Sequence, residues 1–153
     1  MSPFDFSLGR ILDLRRQVEK EKALSLAEAR RRSEEARKAW EDLEEIRRAG
    51  RESLARAHES GGSIGQIRNM EFVLEQMAGK VESAQERRRE ADENLVESVK
   101  RYTDAFRERR TLDRLRSRRL EQWKTEEKRR EQKDMDEVAI TRYGRPAPGS
   151  AGG

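Results

Sequence analysis

The sequence predicts an all-α fold, an antiparallel two-helix coiled coil (an α-hairpin) whose second helix is longer and overhangs the first. Three observations support this class. Charged residues make up 43% of the 153 residues and hydrophobic residues only 33%, which is too polar for a compact core. The charges nearly balance, with 35 basic and 31 acidic residues, and there are 3 prolines, so a disordered chain is disfavoured. Most charged residues are Glu or Arg, both good helix formers.

The first helix is predicted over residues 7–58, a stretch free of proline. Ser7 is suited to be its N-cap. Two interleaved seven-residue series, typical of a coiled-coil seam, run along it. One comprises Leu26, Ser33, Trp40, Arg47 and Leu54, and the other Ala29, Ala36, Leu43, Gly50 and Ala57. A stronger apolar face precedes them, comprising Leu8, Ile11, Leu12, Leu14 and Val18.

A turn is predicted over residues 59–63. Gly61 and Gly62 are suited to end a helix, and Ser63 with Gln66 forms a capping-box pattern for the next one. The second helix, 64–140, has the clearest seam. Its two series comprise Ile67, Leu74, Val81, Arg88, Leu95 and Tyr102, and Met70, Met77, Ala84, Ala91, Ser98, Ala105 and Leu112.

A short turn makes the two helices antiparallel neighbours, so residues 1–143 are predicted to form one elongated hairpin. Trp40 is then expected near Val81, and Leu8 near Leu115. Beyond Leu115 the second helix has no helical partner left in the chain, although Phe4 and Phe6 are placed to fold back over Leu120. A long unsupported helix is marginal in water, so we expect it to fray or to bind another protein. Residues 144–153, rich in Gly, Pro and Ser, are predicted to be a flexible tail.

The residues that catalysis or metal binding would need are scarce. The chain has 0 cysteines and 1 histidine, His58, which disfavours disulfides and metal sites. Carboxylates on a solvated helix face lack the burial that tunes a general acid. We therefore expect no enzyme activity and no cofactor. With no secretory signal and no long apolar run, a soluble cytoplasmic protein is expected.

Arginines between 107 and 119 raise the possibility of nucleic-acid binding. Glu108, Asp113 and Glu121 interrupt them, and aromatic residues for base stacking are sparse. A solvated face of mixed charge is the favoured interpretation, with no nucleic-acid partner. Trp123 in the overhang is instead a candidate anchor for a protein partner, because exposed aromatic residues often occupy that role.

Both ends of the chain carry motifs of a known family. The start, "FDFSLGRILDLRRQVEKEKALSLAEA", has an aromatic-x-Leu opening, then Leu-x-x-Arg-Arg and a Glu-rich stretch. The segment "RYTDAFRERRTLDRLRSRR" alternates Ala, Arg and Leu, and "EEKRREQKDMDEVAITR" contains a Glu-Gln-Lys-x-x-Asp-Glu-x-Ala pattern. These motifs resemble the FliJ family of flagellar type III export proteins. The matching signature positions are Glu131, Gln132, Lys133, Asp136, Glu137 and Ala139.

The resemblance implies a non-enzymatic, cytoplasmic coiled-coil stalk that escorts chaperones at the inner face of the membrane. Its implied partners are the flagellar export ATPase hexamer, the cytoplasmic domain of the export-gate membrane protein and the export chaperones. Candidate gate contacts lie near the turn, at Ile46, Phe72 and Val73. Candidate ATPase or assembly contacts lie in the overhang, at Arg116, Arg119, Trp123, Arg130 and Met135.

Three other functions remain open. The equivalent stalk of a virulence type III secretion system shares the architecture. A generic coiled-coil scaffold would dimerise through the overhang, whereas a stalk is expected to be monomeric. A basic nucleic-acid binder would show tight binding that weakens steeply with salt.

Overall fold

The computed structural model describes residues 2–144 and contains two helices, α1 (Gly9–Glu59) and α2 (Ile64–Tyr143). They pack against each other as an all-α helical hairpin, and no strand occurs within residues 2–144, so the predicted fold class is confirmed. At 80 residues, α2 is longer than α1, which has 51. The predicted tail, 144–153, lies outside the described residues except for Gly144.

The turn follows from the residues predicted to form it. Gly61 has a φ of 69°, in the left-handed region that residues with a side chain rarely adopt. The amide of Gly62 donates to the carbonyl of Ala57 at 3.0 Å, which closes the end of α1 in a Schellman motif. The hydroxyl of Ser63 then accepts a hydrogen bond from the amide of Gln66 at 3.2 Å and caps α2.

The described residues form two compact units, and the first consists of residues 16–107. Every position of the predicted seam series within it is buried or half-buried. The Ser33 hydroxyl donates to Asp92 Oδ1 at 2.7 Å. The Arg88 guanidinium lies over the half-buried Trp40 ring, 4.6 Å from its centroid. The buried members of the seam are Leu26, Ala29, Val81, Ala84 and Ala105.

Ion pairs cover the solvent side of α1 in this unit. Arg31 bridges Glu28, at 2.6 Å, and Glu35, at 2.9 Å, while Arg32 Nε lies 3.1 Å from Glu28. The hydrogen bonds from Arg31, followed by its charge, lower the pKa of Glu28 below its ordinary value. Such pairs one helical turn apart stabilise a helix only modestly, because both groups remain in solvent.

The second unit joins the chain start, up to Arg15, to α2 from Glu108 onward. Leu12 is the centre of its packing, with 1% of its surface exposed. Arg15 Nη1 pairs with Glu108 Oε2 at 2.7 Å. The apolar face predicted here is narrower than expected, since Ile11 is 46% and Leu14 61% exposed. Leu8 and Leu12, one helical turn apart, instead occupy the side of α1 that meets α2.

After Leu115, α2 is contacted by the non-helical residues that precede α1. These residues, 2–8, here called the strap, pack on α2 as far as Trp123, slightly beyond Leu120, over which Phe4 and Phe6 were predicted to fold back. Phe6 is 8% exposed within these contacts. Every residue from Lys128 to Gly144 is exposed. We call residues 128–144 the exposed end of α2.

Candidate protein-binding surfaces

An apolar face runs along the exposed end of α2. Met135, Val138 and Tyr143 are 71%, 55% and 86% exposed. With Ala139 they line one shallow cavity of about 400 Å³. The spacing of three, four and eight residues places these side chains on one side of a helix. Of these residues, only Met135 was predicted as a contact. The spacing of three and eight residues from Met135 is visible in the sequence and could also have identified Val138 and Tyr143.

The family-signature residues lie on the same stretch of α2, and one of them, Ala139, belongs to the apolar face. All six of them, from Glu131 to Ala139, are exposed on α2. Gln132 Nε2 donates to Asp136 Oδ1 at 3.2 Å, so two of the signature side chains hold each other on the helix surface. Arg130, a predicted contact residue, pairs with Glu127 at 3.2 Å. The exposed end of α2 therefore combines an apolar face with ordered polar side chains.

A second surface brings three predicted contact residues together beneath the strap. The Phe4 ring packs on Trp123, with centroids 6.0 Å apart and planes inclined by 56°. The guanidinium groups of Arg116 and Arg119 lie 5.6 Å from the ring centroids of Phe4 and Phe6. The expectation that Trp123 is an exposed aromatic was wrong, because Phe4 folds back onto it and leaves it half-buried.

A third surface lies near the turn. Ile46, Phe72 and Val73 are 56%, 59% and 49% exposed. Ile46 and Val73 line one cavity of about 200 Å³, together with Met70, Leu74 and other residues of the seam. Phe72 is not among the residues that line this cavity. The structure therefore brings two of the three predicted gate contacts to one place.

Metal-ligating side chains are not gathered into a site within residues 2–144, where no group of three His, Cys, Asp or Glu suited to hold a metal ion is found. The single histidine, His58, has Nε2 3.9 Å from Glu71 Oε1, across the turn. Within the same residues, neither helix has an apolar stretch of the length needed to span a membrane.

The fold defines the class of the protein as a two-helix α-helical hairpin, which has exposed apolar side chains near the turn and at the end of α2. The model of the family described as "Flagellar FliJ protein" matches residues 4–148. The chain therefore belongs to the FliJ family and is a flagellar type III export-associated protein. Searches of curated proteins and of solved structures found no significant match to this chain.

Proposed function

We propose that this chain is a non-enzymatic stalk and chaperone escort of the flagellar export apparatus. It links the export ATPase ring, the cytoplasmic domain of the export gate and the export chaperones, and so supports flagellar assembly and motility. It acts in the cytoplasm, bound peripherally to the inner face of the membrane at the flagellar base. Family membership supports the setting. The observation that carries the proposal is the apolar face at the exposed end of α2.

The exposed end of α2 is suited to a partner that surrounds or receives a single helix. Apolar side chains three and four residues apart are the anchors by which a helix binds a groove. Met135, Val138 and Tyr143 supply them, and no described residue covers them. A partner that covers this face would remove three exposed apolar side chains from water. We assign that partner as the export ATPase ring, with Arg130 at the edge of the contact.

The surface near the turn is assigned to the export gate. Its exposed aromatic and aliphatic side chains, Ile46, Phe72 and Val73, provide an apolar contact beside the seam. The cavity that Ile46 and Val73 line is small, about 200 Å³, and fits one side chain of a partner rather than a helix. The two surfaces lie on different compact units, which supports their assignment to two different partners.

The ATPase assignment is tested by placing a charge on the apolar face. We expect Met135→Glu with Val138→Glu to weaken binding to the purified export ATPase at least tenfold, because both carboxylates would have to be buried unpaired. Ile140→Glu is the matched control: Ile140 is 69% exposed but lies on the opposite side of the helix from both Met135 and Val138. Equal affinity of the double variant and the wild-type chain, measured by biolayer interferometry, would contradict the assignment.

The gate assignment has a similar pair of variants. Val73→Asp is expected to reduce binding to the isolated cytoplasmic domain of the gate and to reduce swimming motility. Val96→Asp is the control, because Val96 is also exposed, at 70%, but lies away from the turn. If both variants bind the gate domain as the wild-type chain does, the surface near the turn is not the gate contact.

Sedimentation separates the stalk from the scaffold interpretation. A stalk is expected to sediment as a monomer at micromolar concentration. An obligate dimer that dissociates when Met135 and Val138 are replaced by Glu would instead show that the apolar face binds a second copy.

A further inference from the structure

The strap is held on α2 by side chains rather than by secondary structure. Residues 2–6 belong to neither helix. The Phe4 ring rests on Trp123, Phe6 is buried, and Arg119 Nη1 donates to the Ser7 hydroxyl at 3.0 Å. A segment that lies outside the helices and is held on α2 by side-chain contacts can open locally while the helices stay folded.

Two arginines lie against the rings of the strap. Arg116 and Arg119 each place the guanidinium carbon 5.6 Å from a ring centroid. A guanidinium is attracted to the face of an aromatic ring at this distance, but the attraction is weak at a solvent-exposed site. A carboxylate forms stronger and more directional hydrogen bonds with the same group. The arginines therefore favour a partner that offers an acidic side chain.

We propose that the strap is a releasable cover over an ATPase-binding surface formed by Arg116, Arg119 and Trp123. This inference rests on the proposed function. The Phe4 ring packs at a tilt against the Trp123 indole, so strap and partner compete for contact with this side chain. The competing ATPase segment carries an apolar side chain that replaces Phe4 and a carboxylate that pairs with the guanidinium groups. Binding of the ATPase displaces the strap, and the strap in turn lowers the affinity of the free chain.

The test compares the full chain with Phe4→Ala and with the double variant Phe4→Ala, Phe6→Ala. If the strap is closed in most chains, only the small open fraction can bind the ATPase, and the apparent affinity is reduced in proportion. Loss of the strap contact is therefore expected to tighten ATPase binding by about tenfold. Adding Trp123→Ala to Phe4→Ala is expected to abolish this gain. Leu14→Ala is the matched control, since Leu14 is an exposed apolar residue of the same unit.

Trp123 reports on the cover directly. In a Trp40→Phe background, Trp123 is the one remaining tryptophan, and its quenching by acrylamide is expected to rise when Phe4 is replaced by Ala. Far-UV circular dichroism shows whether each variant remains folded, and Phe4→Ala alone decides the test if loss of the buried Phe6 unfolds the unit.

The outcomes separate this inference from the proposed function. Tighter ATPase binding by Phe4→Ala supports the cover, including a result in which the wild-type chain does not bind measurably. Wild-type binding that Phe4→Ala leaves unchanged or weakens overturns the cover and leaves the proposed function standing. Absence of ATPase binding by the wild-type chain and by Phe4→Ala overturns both.

Discussion

Gly50 of α1 lies directly against Leu74 of α2: a methyl group added to Gly50 would come within 2.9 Å of Leu74 Cδ2. The seam is therefore narrow at this point, and the missing side chain of one helix is matched by the branched side chain of the other. Gly79, further along α2, has no atom within 4 Å of the position that a methyl group would take. The two glycines occur in helix interiors but in opposite surroundings.

This contrast predicts different responses to alanine. Gly79→Ala is expected to raise the free energy of unfolding by about 0.5–1 kcal/mol, the usual gain for replacing glycine within a helix. Gly50→Ala is expected to show no net gain, because Leu74 must move to admit the methyl group. Urea unfolding followed by circular dichroism measures both. An equal gain in the two variants would show that Leu74 moves aside without cost.

Leu12 and Leu14 form a second matched pair. Leu12 is 1% exposed and Leu14 is 61% exposed, although both are leucines of the same turn of α1. Leu12→Ala is expected to cost about 2–5 kcal/mol, as for other buried leucines. Leu14→Ala is expected to change the free energy of unfolding by about 0.5 kcal/mol or less. Thermal unfolding of the two variants gives the comparison, and similar losses would place Leu14 in a contact that the structure does not show.

The left-handed backbone at Gly61 makes a prediction about the turn. Gly61→Ala places a side chain at a φ of 69° and is expected to cost about 1 kcal/mol or slightly more. Gly65→Ala is the control, because Gly65 lies in the first turn of α2 with nothing within 4 Å of the added methyl group. The control variant is expected to be at least as stable as the wild-type chain. If Gly61→Ala caused no loss of stability in chemical unfolding, α1 would have to end differently in solution.

The pairing of Glu28 predicts a pH effect. Hydrogen bonds from Arg31 lower the pKa of Glu28 in the folded chain, so its stabilising contribution is present at neutral pH and is lost as the pH falls through that lowered pKa. Arg31→Gln is expected to raise this pKa toward its ordinary value, as measured by NMR titration of the side-chain carboxyl carbon. Arg30→Gln, one residue earlier, should leave the pKa low. Equal titration curves in the two variants would contradict the assignment.

The seam could be predicted from sequence because it depends on local spacing. Positions seven residues apart lie on one side of a helix, and those read from the sequence, including Ser33, Arg47 and Ser98, are buried or half-buried in the structure. Their polar character did not remove them from the seam, since the helix backbone determines which side they occupy. The periodicity indicated the seam, and the short glycine turn indicated that the two helices are antiparallel.

The contacts of the chain start could be predicted only in part. Phe4 and Phe6 carry no helical periodicity, and the sequence indicated a fold-back toward Leu120 without identifying Trp123 as the partner of Phe4. Ile11 and Leu14 are apolar but exposed, because an apolar stretch on a helix does not specify which of its sides meets a neighbour. These features depend on tertiary packing, and local spacing contains no information about it.

The thin seam has a thermodynamic consequence. Among the residues that the structure describes, Leu12 is the one large side chain that is fully buried, and most seam positions remain half-exposed. Unfolding therefore hydrates less new apolar surface per residue than it does in a globular domain, and the heat-capacity change should lie below the usual value of about 12–15 cal/mol/K per residue. With a small heat-capacity change, the curve of unfolding free energy against temperature is nearly straight. Cold denaturation is therefore expected far below the freezing point of water.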